Sequence, residues 1–529
     1  MKIPKVEPEA PVKSLSADLA PDLTGRNRIV RNVLTSWAGH FLFIVAGFIM
    51  PRMIDERLGQ DILGIWDLSW SVVSYINLVQ LGIGSSISRF VAKCRAAGDE
   101  EGVNRAVSSV WVFLFAAGVV AFLLTAGLCL SFPYLFAYRL ARNTATAQWV
   151  VFLLGVNIST GMWFSTYSGV VSGCHRWDIH NGLIACAHAV SVGCMVGSLY
   201  LGGGLITLSA ITLACAVVNN LAHLIAAYRV YPGLQVRARL ASWNQTMEML
   251  IFGWKSLVPS VSELMLQQTV NILVLAYLGP SALALYARPK ALVRVMQSLM
   301  AKFSYVLTAT AGALDSEARI AELRDFLTKA LRYAYYLILP PTIVLMVYGD
   351  TILGLWMGPA YRNWALPAVL AAGSLTTIAH MPVLSVLAGM DAHGRPGIAN
   401  LTANCFAVAT VVVSLWVTPT GLVGVASCAV IPVALVNGIY LPIYACRRLR
   451  MSMRECGAKV LRGPLLSSLP LIACLVGTRV SFHARPHVAL ACGMILGLVV
   501  VAVVYWQYAL PPRVREVTRK LLRVVPVSR

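Results

Sequence analysis

The feature that most constrains this chain is a succession of long apolar runs, nearly free of charge, that recur from residue 32 to residue 510. A helix needs about 20 apolar residues to cross a hydrocarbon core of ~30 Å. Fourteen runs of roughly that length are legible: 32–51, 62–88, 106–131, 147–172, 181–201, 204–228, 249–277, 284–310, 330–354, 363–389, 398–418, 420–445, 464–482 and 487–510. They are continuous rather than alternating, which selects helices over barrel strands, because backbone in lipid must satisfy its polar groups within the segment. The expected fold is an all-α polytopic membrane protein with about 14 transmembrane helices. Composition agrees: 12% of the 529 residues are charged, against about 25% in an ordinary soluble domain, and the mean hydropathy is +0.72.

A net charge of +21 invites a nucleic-acid reading, but the placement of the cations excludes it. With the N-terminus inside, the loops and tails on that side hold 31 of the 43 Lys and Arg, and the opposite loops hold 7. That asymmetry predicts both termini in the cytoplasm. Residues 1–31 are polar, contain four prolines and lack an apolar core, so they read as a disordered cytoplasmic tail rather than a signal peptide. Residues 511–529 read as a basic cytoplasmic tail.

The five remaining cations are Lys255, Arg288, Lys290, Arg294 and Lys302, all inside the runs 249–277 and 284–310, which also carry Glu263. Ionisable groups at membrane depth cost about 2.5–3.5 kcal/mol each on insertion scales and face a protein interior or a wet cavity. Cations gathered on one run predict an anion-binding cavity, with Arg288, Lys290, Arg294 and Lys255 as its residues. Snorkelling to the headgroups accounts equally well for Lys255 and Lys302, which stand near the ends of their runs, but poorly for Arg294 near mid-depth. In the first of these runs Ser256, Ser260, Glu263, Gln267 and Asn271 form one stripe at about 100° per residue, able to line a lumen or to bond a neighbouring helix.

A short internal repeat ties the halves together. Leu58-Gly59 followed by Gly64-Ile65-Trp66 recurs as Leu278-Gly279 followed by Ala284-Leu285-Tyr286. A six-helix unit followed by a similar unit in the same orientation is the parallel repeat of several transporters. The expected organisation is a first lobe at 32–229, a cytoplasmic linker at 230–248, a second lobe at 249–446, and a basic loop with two further helices at 447–510. In the first half Asp67, Ser71, Ser74 and Ser85 share a face, as do Asn32, Ser36 and His40, and Asn157, Gly161, Ser165 and Ser168. Small and hydroxyl residues in such stripes usually pack helices together. Asp67 is the exception: the repeat places it opposite the region of Arg288, and it is expected to approach the cations across the interface of the halves. Asp67, Glu263, Gln267, Asn271 and Asn157 are therefore the candidate lumenal polar residues.

Several chemistries are disfavoured. No Lys follows a Gly, so the chain has no phosphate loop and no ATPase of its own. The twelve cysteines form no CxxC pair, and Cys129, Cys186, Cys194 and Cys215 sit in apolar runs as packing residues. His175 and His180 flank Asp178 without completing a metal site. The external loops offer only Asp55, Glu56, Asp61 and Asp350, too little for a glycosyltransferase, ligase or polymerase, so no enzyme activity is expected. No cofactor is expected either, and any coupling would draw on H+ or Na+ gradients. Prolines at 259, 340, 341, 367, 382, 432 and 442 are expected to interrupt helices.

The runs Leu58-Gly59-Gln60-Asp61-Ile62-Leu63-Gly64-Ile65-Trp66, Ser69-Trp70-Ser71, Tyr75, Leu81-Gly82-Ile83-Gly84-Ser85-Ser86 and Arg89-Phe90-Val91-Ala92 resemble the opening of polysaccharide transporters of the Wzx (O-antigen flippase) type. Leu278-Gly279 and Tyr286-Ala287 resemble the start of that family's second lobe, and Gly173-Cys174-His175-Arg176-Trp177-Asp178 is similar to its loop after helix 4. The resemblance implies the fold of the multidrug/oligosaccharidyl-lipid/polysaccharide exporter superfamily, two six-helix lobes around a central cavity, in a bacterial cytoplasmic (inner) membrane. It implies a polyprenyl-diphosphate-linked oligosaccharide, such as an O-antigen or exopolysaccharide repeat unit, as substrate, moved by alternating access. Membrane lipids and polysaccharide polymerases or glycosyltransferases are the implied partners. Lipid II flippases of the superfamily carry an Arg in a Tyr-Ala-x-Arg setting; here Arg288 follows Tyr286-Ala287 directly. Those flippases also have an extra helix pair, to which the last two runs correspond. The competing readings are a cation-coupled multidrug exporter, which predicts an acid-dominated lumen, a membrane enzyme of polysaccharide assembly, and a scaffold for such enzymes.

Overall fold

A computed structural model describes residues 29–80, 82–417 and 421–508, with the side chains of 29, 30, 33, 85, 252, 254–260 and 508 left undescribed. The expected tails therefore fall largely outside the described residues. Every regular element within them is helical. The first half comprises α1 (Ile29–Leu58), α2 (Gln60–Ser74), a 3-10 segment (Tyr75–Gln80), α3 (Gly84–Ala96), α4 (Glu100–Leu140), α5 (Thr144–Gly173), α6 (Trp177–Tyr200) and α7 (Leu205–Val230). The second half runs through α8 (Trp243–Leu278), α9 (Pro280–Ser316), α10 (Ile320–Met357), α11 (Ala365–Ala379), α12 (Met381–Gly389), α13 (Gly394–Val417), α14 (Gly421–Leu435), a π turn (Val436–Tyr440) and α15 (Leu441–Arg448). Two further helices, α16 (Met453–Ser481) and α17 (Pro486–Tyr508), follow.

Twelve helical stretches are long and apolar enough to span a membrane, where the sequence suggests about fourteen. Two features account for the difference. The stretch 100–173 counts α4 and α5 together, and α9 is absent from the twelve although it is 37 residues long. Its cations take it out of that class.

The repeat has a backbone cause. Gly59 and Gly279 both hold the left-handed conformation, with φ of 96° and 91° and ψ of 163° and 173°. Only glycine adopts this region without a steric penalty. Gly98 with Ala318, Ala141 with Gly358, His175 with Asp391 and Gly202 with Gly421 are further positive-φ pairs, each about 220 residues apart, as a parallel repeat requires. The turns, more than the side chains, preserve the duplication.

The run 62–88 is not one helix. Ser69, Ser71 and Ser74 each donate to the carbonyl four residues earlier, at 2.8, 2.8 and 2.6 Å, a pattern that weakens and bends helices. The helix gives way at Tyr75. Gly82 then lies so close to Gly253 of α8 that a Cβ at either position would meet the other's carbonyl oxygen at 2.7–2.8 Å. The face expected to unite Asp67 with Ser85 is broken by this segment, and the Ser85 side chain is outside the described residues.

Prolines inside helices free the carbonyl four residues before them, and neighbouring side chains take up these acceptors. Gln148 donates to Cys129 O at 2.8 Å, before Pro133. Thr410 donates to Cys428 O at 3.2 Å, before Pro432. Tyr505 of α17 donates to Tyr336 O at 2.6 Å, before Pro340. The last bond, with the bidentate Arg479–Asp350 pair at 3.0 and 2.9 Å, fastens the C-terminal hairpin to α10. α10 continues through Pro340 and Pro341, whereas the run 363–389 does break, at His380, one residue before the N-terminal turn that holds Pro382.

One buried apolar cluster crosses between the halves, joining Leu63, Ile65 and Leu68 of α2 to Val274 of α8 and Leu283 of α9. At this seam Gly64 admits the chain at Pro280: a Cβ would stand 1.9 Å from the Pro280 carbonyl oxygen.

Candidate anion-binding cavity

α8 and α9 form a hairpin whose turn, Gly279-Pro280, combines a left-handed glycine with a proline at the first helical position. The hairpin sets Gln267 and Asn271 of α8 beside Lys290 and Arg294 of α9. Lys290 Nζ donates to the Gln267 carbonyl at 2.9 Å and to Asn271 Oδ1 at 3.1 Å, and lies 5.5 Å from the centre of the Tyr286 ring. Arg294 is exposed and donates to Gln267 Oε1 at 3.3 Å. Gln267 Nε2 in turn donates to Glu263 at 3.0 Å, and Gln297 donates to the same oxygen at 3.3 Å. The result is one polar row, Glu263–Gln267–Arg294 and Lys290–Asn271, on an otherwise apolar hairpin.

This row borders a cavity of about 110 Å³ walled by α8, α9, α11 and α14. Gln267, Lys290, Arg294, Gln297, Ser374 and Thr377 supply its side-chain polar groups against a wall that includes Val293, Ile378 and Val430. Two basic side chains thus face a wall that is mostly hydrocarbon, where charge is poorly screened.

Arg288 stands apart from this cavity. It is 4% exposed and pairs with Asp67 of α2, while its Nε has no hydrogen-bond partner. Arg288, expected among the cavity residues, does not line this cavity: Asp67 occupies its guanidinium, and the pair clasps the halves. Asn271 is shared between the two regions, since its Nδ2 donates to Ser71 of α2 at 2.9 Å. Asn157 lies half-buried on α5 and is not among the lining residues; its carbonyl accepts from Thr160 at 3.0 Å. Lys255, Ser256 and Ser260 are on α8, with side chains outside the described residues. Lys302 lies 5.0 Å from the centre of the Trp37 ring.

Sequence reasoning missed Gln297, Ser374 and Thr377. Gln297 stands one turn beyond Arg294 and could have been read from that spacing. Ser374 and Thr377 lie in an apolar run where hydroxyls ordinarily bond their own helix.

Where α1 gives way to α2, the halves are joined by arginines on helix C-termini, which carry free carbonyls and partial negative charge. Arg52 donates to Leu355 O at 2.8 Å and also to Trp356 O at the end of α10. Arg139 donates to Ala276 O and Tyr277 O at 2.9 and 2.8 Å at the end of α8. Tyr361 donates to Asp55 at 2.7 Å; burial, together with that carboxylate, pushes its phenol up and keeps it a donor. The seam is closed at this end.

The family model described as polysaccharide biosynthesis protein matches residues 71–366. The chain is 22% identical over 421 residues to the uncharacterized membrane protein EpsK of Bacillus subtilis (strain 168), covering 77% of this chain and 81% of EpsK. Its fold matches an inward-facing multidrug resistance MATE family transporter of the MOP superfamily, with a TM-score of 0.64 at 17% identity over 80% of this chain and 99% of the transporter. It also matches a MOP superfamily transporter from Pyrococcus furiosus, with a TM-score of 0.61 at 16% identity over 80% and 96%. The duplicated helical halves, the sealed seam and the family match agree: the chain belongs to the polysaccharide biosynthesis protein family and is a multi-pass membrane protein with the MOP transporter fold.

Proposed function

We propose that this protein moves a polyprenyl-diphosphate-linked oligosaccharide from the cytoplasmic to the outer leaflet of a bacterial inner membrane by alternating access. The observation that carries this reading is Arg294, an exposed arginine on a cavity wall with a neutral glutamine as its hydrogen-bond partner. Lys290 stands one helical turn away. Such a pair suits a diphosphate, which offers several acceptor oxygens and at least two negative charges. The family match supports polysaccharide assembly as the setting. The Pyrococcus furiosus neighbour is described as having a binding pocket of reverse polarity that suggests a different function.

In this reading the clasps at Arg52, Arg139 and Tyr361 close the outer side while the headgroup loads from the cytoplasm. The sugars travel in the wet interior and the polyprenyl chain stays in lipid. No chemical bond changes, so the protein acts as an exporter and not as an enzyme, and coupling to H+ or Na+ would supply the drive. The test is a leaflet-accessibility assay in proteoliposomes carrying the lipid-linked glycan. Arg294→Ala is expected to abolish flipping while the protein inserts and elutes as the parent does. Full flipping by that variant removes Arg294 from the site and the reading with it.

A further inference from the structure

The α6–α7 pair carries titratable groups that the anion cavity does not use. His180 and His188 lie on α6, Asn219 and His223 on α7. The His180 and His223 rings are 5.3 Å apart between centroids, inclined at 70°. His223 is 3% exposed. Its Nδ1 is 2.9 Å from the Asn219 carbonyl, which only accepts, so Nδ1 carries the hydrogen and Nε2 presents a lone pair. That Nε2 has no hydrogen-bond partner, and neither do His180 Nδ1, Asn219 Oδ1 and His188 Nε2, all of them buried. Buried polar atoms are ordinarily partnered. Four such atoms lie on one helix pair, and two of them are nitrogens of the facing His180 and His223 rings.

No cluster suited to a metal ion occurs among the described residues. Asp178, two positions from His180, is already held by Arg31 of α1 and by Arg176. Tyr228 of α7 lies 6.2 Å from Tyr167 of α5 between ring centroids, and His188 stacks on Phe43 of α1 at 5.0 Å. We propose that His180 and His223 form a proton-binding site in the first half, the proton on His180 Nδ1 being shared with His223 Nε2, separate from the anion cavity. α1 connects this site to the seam. It contacts α6 through the Arg31–Asp178 and Phe43–His188 pairs, and it reaches α9 through His40 and Ser298 at 3.4 Å. Loading and unloading the pair therefore changes a charge beside the helix that spans both halves.

Trp177 is a built-in reporter, 5.5 Å from His180 between ring centroids, because a protonated imidazole quenches a nearby indole. Emission of the purified protein in lipid nanodiscs is followed from about pH 8 to about pH 5, the range in which imidazoles titrate. The wild type is expected to lose emission on acidification, and Trp177→Phe and His180→Gln to abolish that component. Sharing of the proton predicts that His223→Gln weakens its binding about tenfold and moves the transition down by about one pH unit. The proposal fails if Trp177 contributes no pH-dependent emission or if His180→Gln titrates as the wild type. It fails equally if His223→Gln leaves the midpoint in place or raises it, as two repelling imidazoles would. His180→Asn replaces His180→Gln if the latter does not elute as the parent.

Discussion

Asp67 of α2 and Arg288 of α9 are ion-paired across the seam between the two halves, in a place where Arg288 is almost wholly removed from solvent. Breaking such a pair from one side leaves an uncompensated buried charge, whereas replacing both members with apolar residues is often neutral. Asp67→Asn is therefore expected to destabilise the protein by about 3–5 kcal/mol, read as a lower midpoint of thermal unfolding. Arg288→Met in the same chain should recover most of the loss. A double variant as unstable as the sum of the two singles would show that the residues do not act on each other.

Gly64 sets how close the halves come. An added Cβ would lie 1.9 Å from the Pro280 carbonyl oxygen, a backbone atom that no rotamer change can move. Gly64→Ala should push α2 from α9 and loosen the sealed end, at a cost of about 1–3 kcal/mol or more for overpacking. Maleimide labelling of an introduced Ser281→Cys, which in the parent side chain bonds Asp61, is expected to speed up about tenfold relative to the same cysteine in the Gly64 background. Unchanged labelling would mean that this contact does not hold the seam.

Glu263 places a negative charge at one end of the polar row through Gln267, whose other side-chain atom accepts from Arg294. Removing that charge while keeping the hydrogen-bonding shape should strengthen anion binding. Glu263→Gln is expected to tighten farnesyl diphosphate binding several-fold, corresponding to about 1 kcal/mol at partly exposed positions, with the gain shrinking as salt is added. Arg294→Gln should weaken it by more. Weaker binding by Glu263→Gln would instead make this carboxylate part of how the cations are positioned.

The cavity cations were legible because charge is so scarce in these apolar runs that each one has to be explained. The approach of Asp67 to Arg288 was legible from the repeat, whose meaning the structure supplies: Gly59 and Gly279 make the same left-handed turn. What the sequence concealed was partner choice. Arg288, Lys290 and Arg294 look alike on one helix, yet Asp67 claims the first and leaves the other two to the cavity. Asn157 has the same kind of stripe as Gln267, but it stands on α5, which does not wall this cavity. The break after Ser74 was hidden because hydrophobicity continues across it, and only the serine spacing with Gly82 and Gly84 marks it.

Tyr505 illustrates how the C-terminal hairpin is bound to the second half. Pro340 brings no N–H to the Tyr336 carbonyl, and Tyr505 of α17 supplies the missing donor at 2.6 Å. Tyr505→Phe leaves that acceptor unpaired in an apolar setting, which costs about 1–3 kcal/mol. Pro340→Ala restores an N–H to the helix and makes the tyrosine hydroxyl dispensable. The cycle therefore has a distinctive pattern: Tyr505→Phe destabilises in the parent and is nearly silent in Pro340→Ala. A hydroxyl that mattered only for packing or for the neighbouring Tyr336 ring, 4.9 Å away between centroids, would give the same loss in both backgrounds. Thermal unfolding of the four proteins in one detergent separates the two accounts, since a carbonyl satisfied from within its own helix has no further use for a donor from α17.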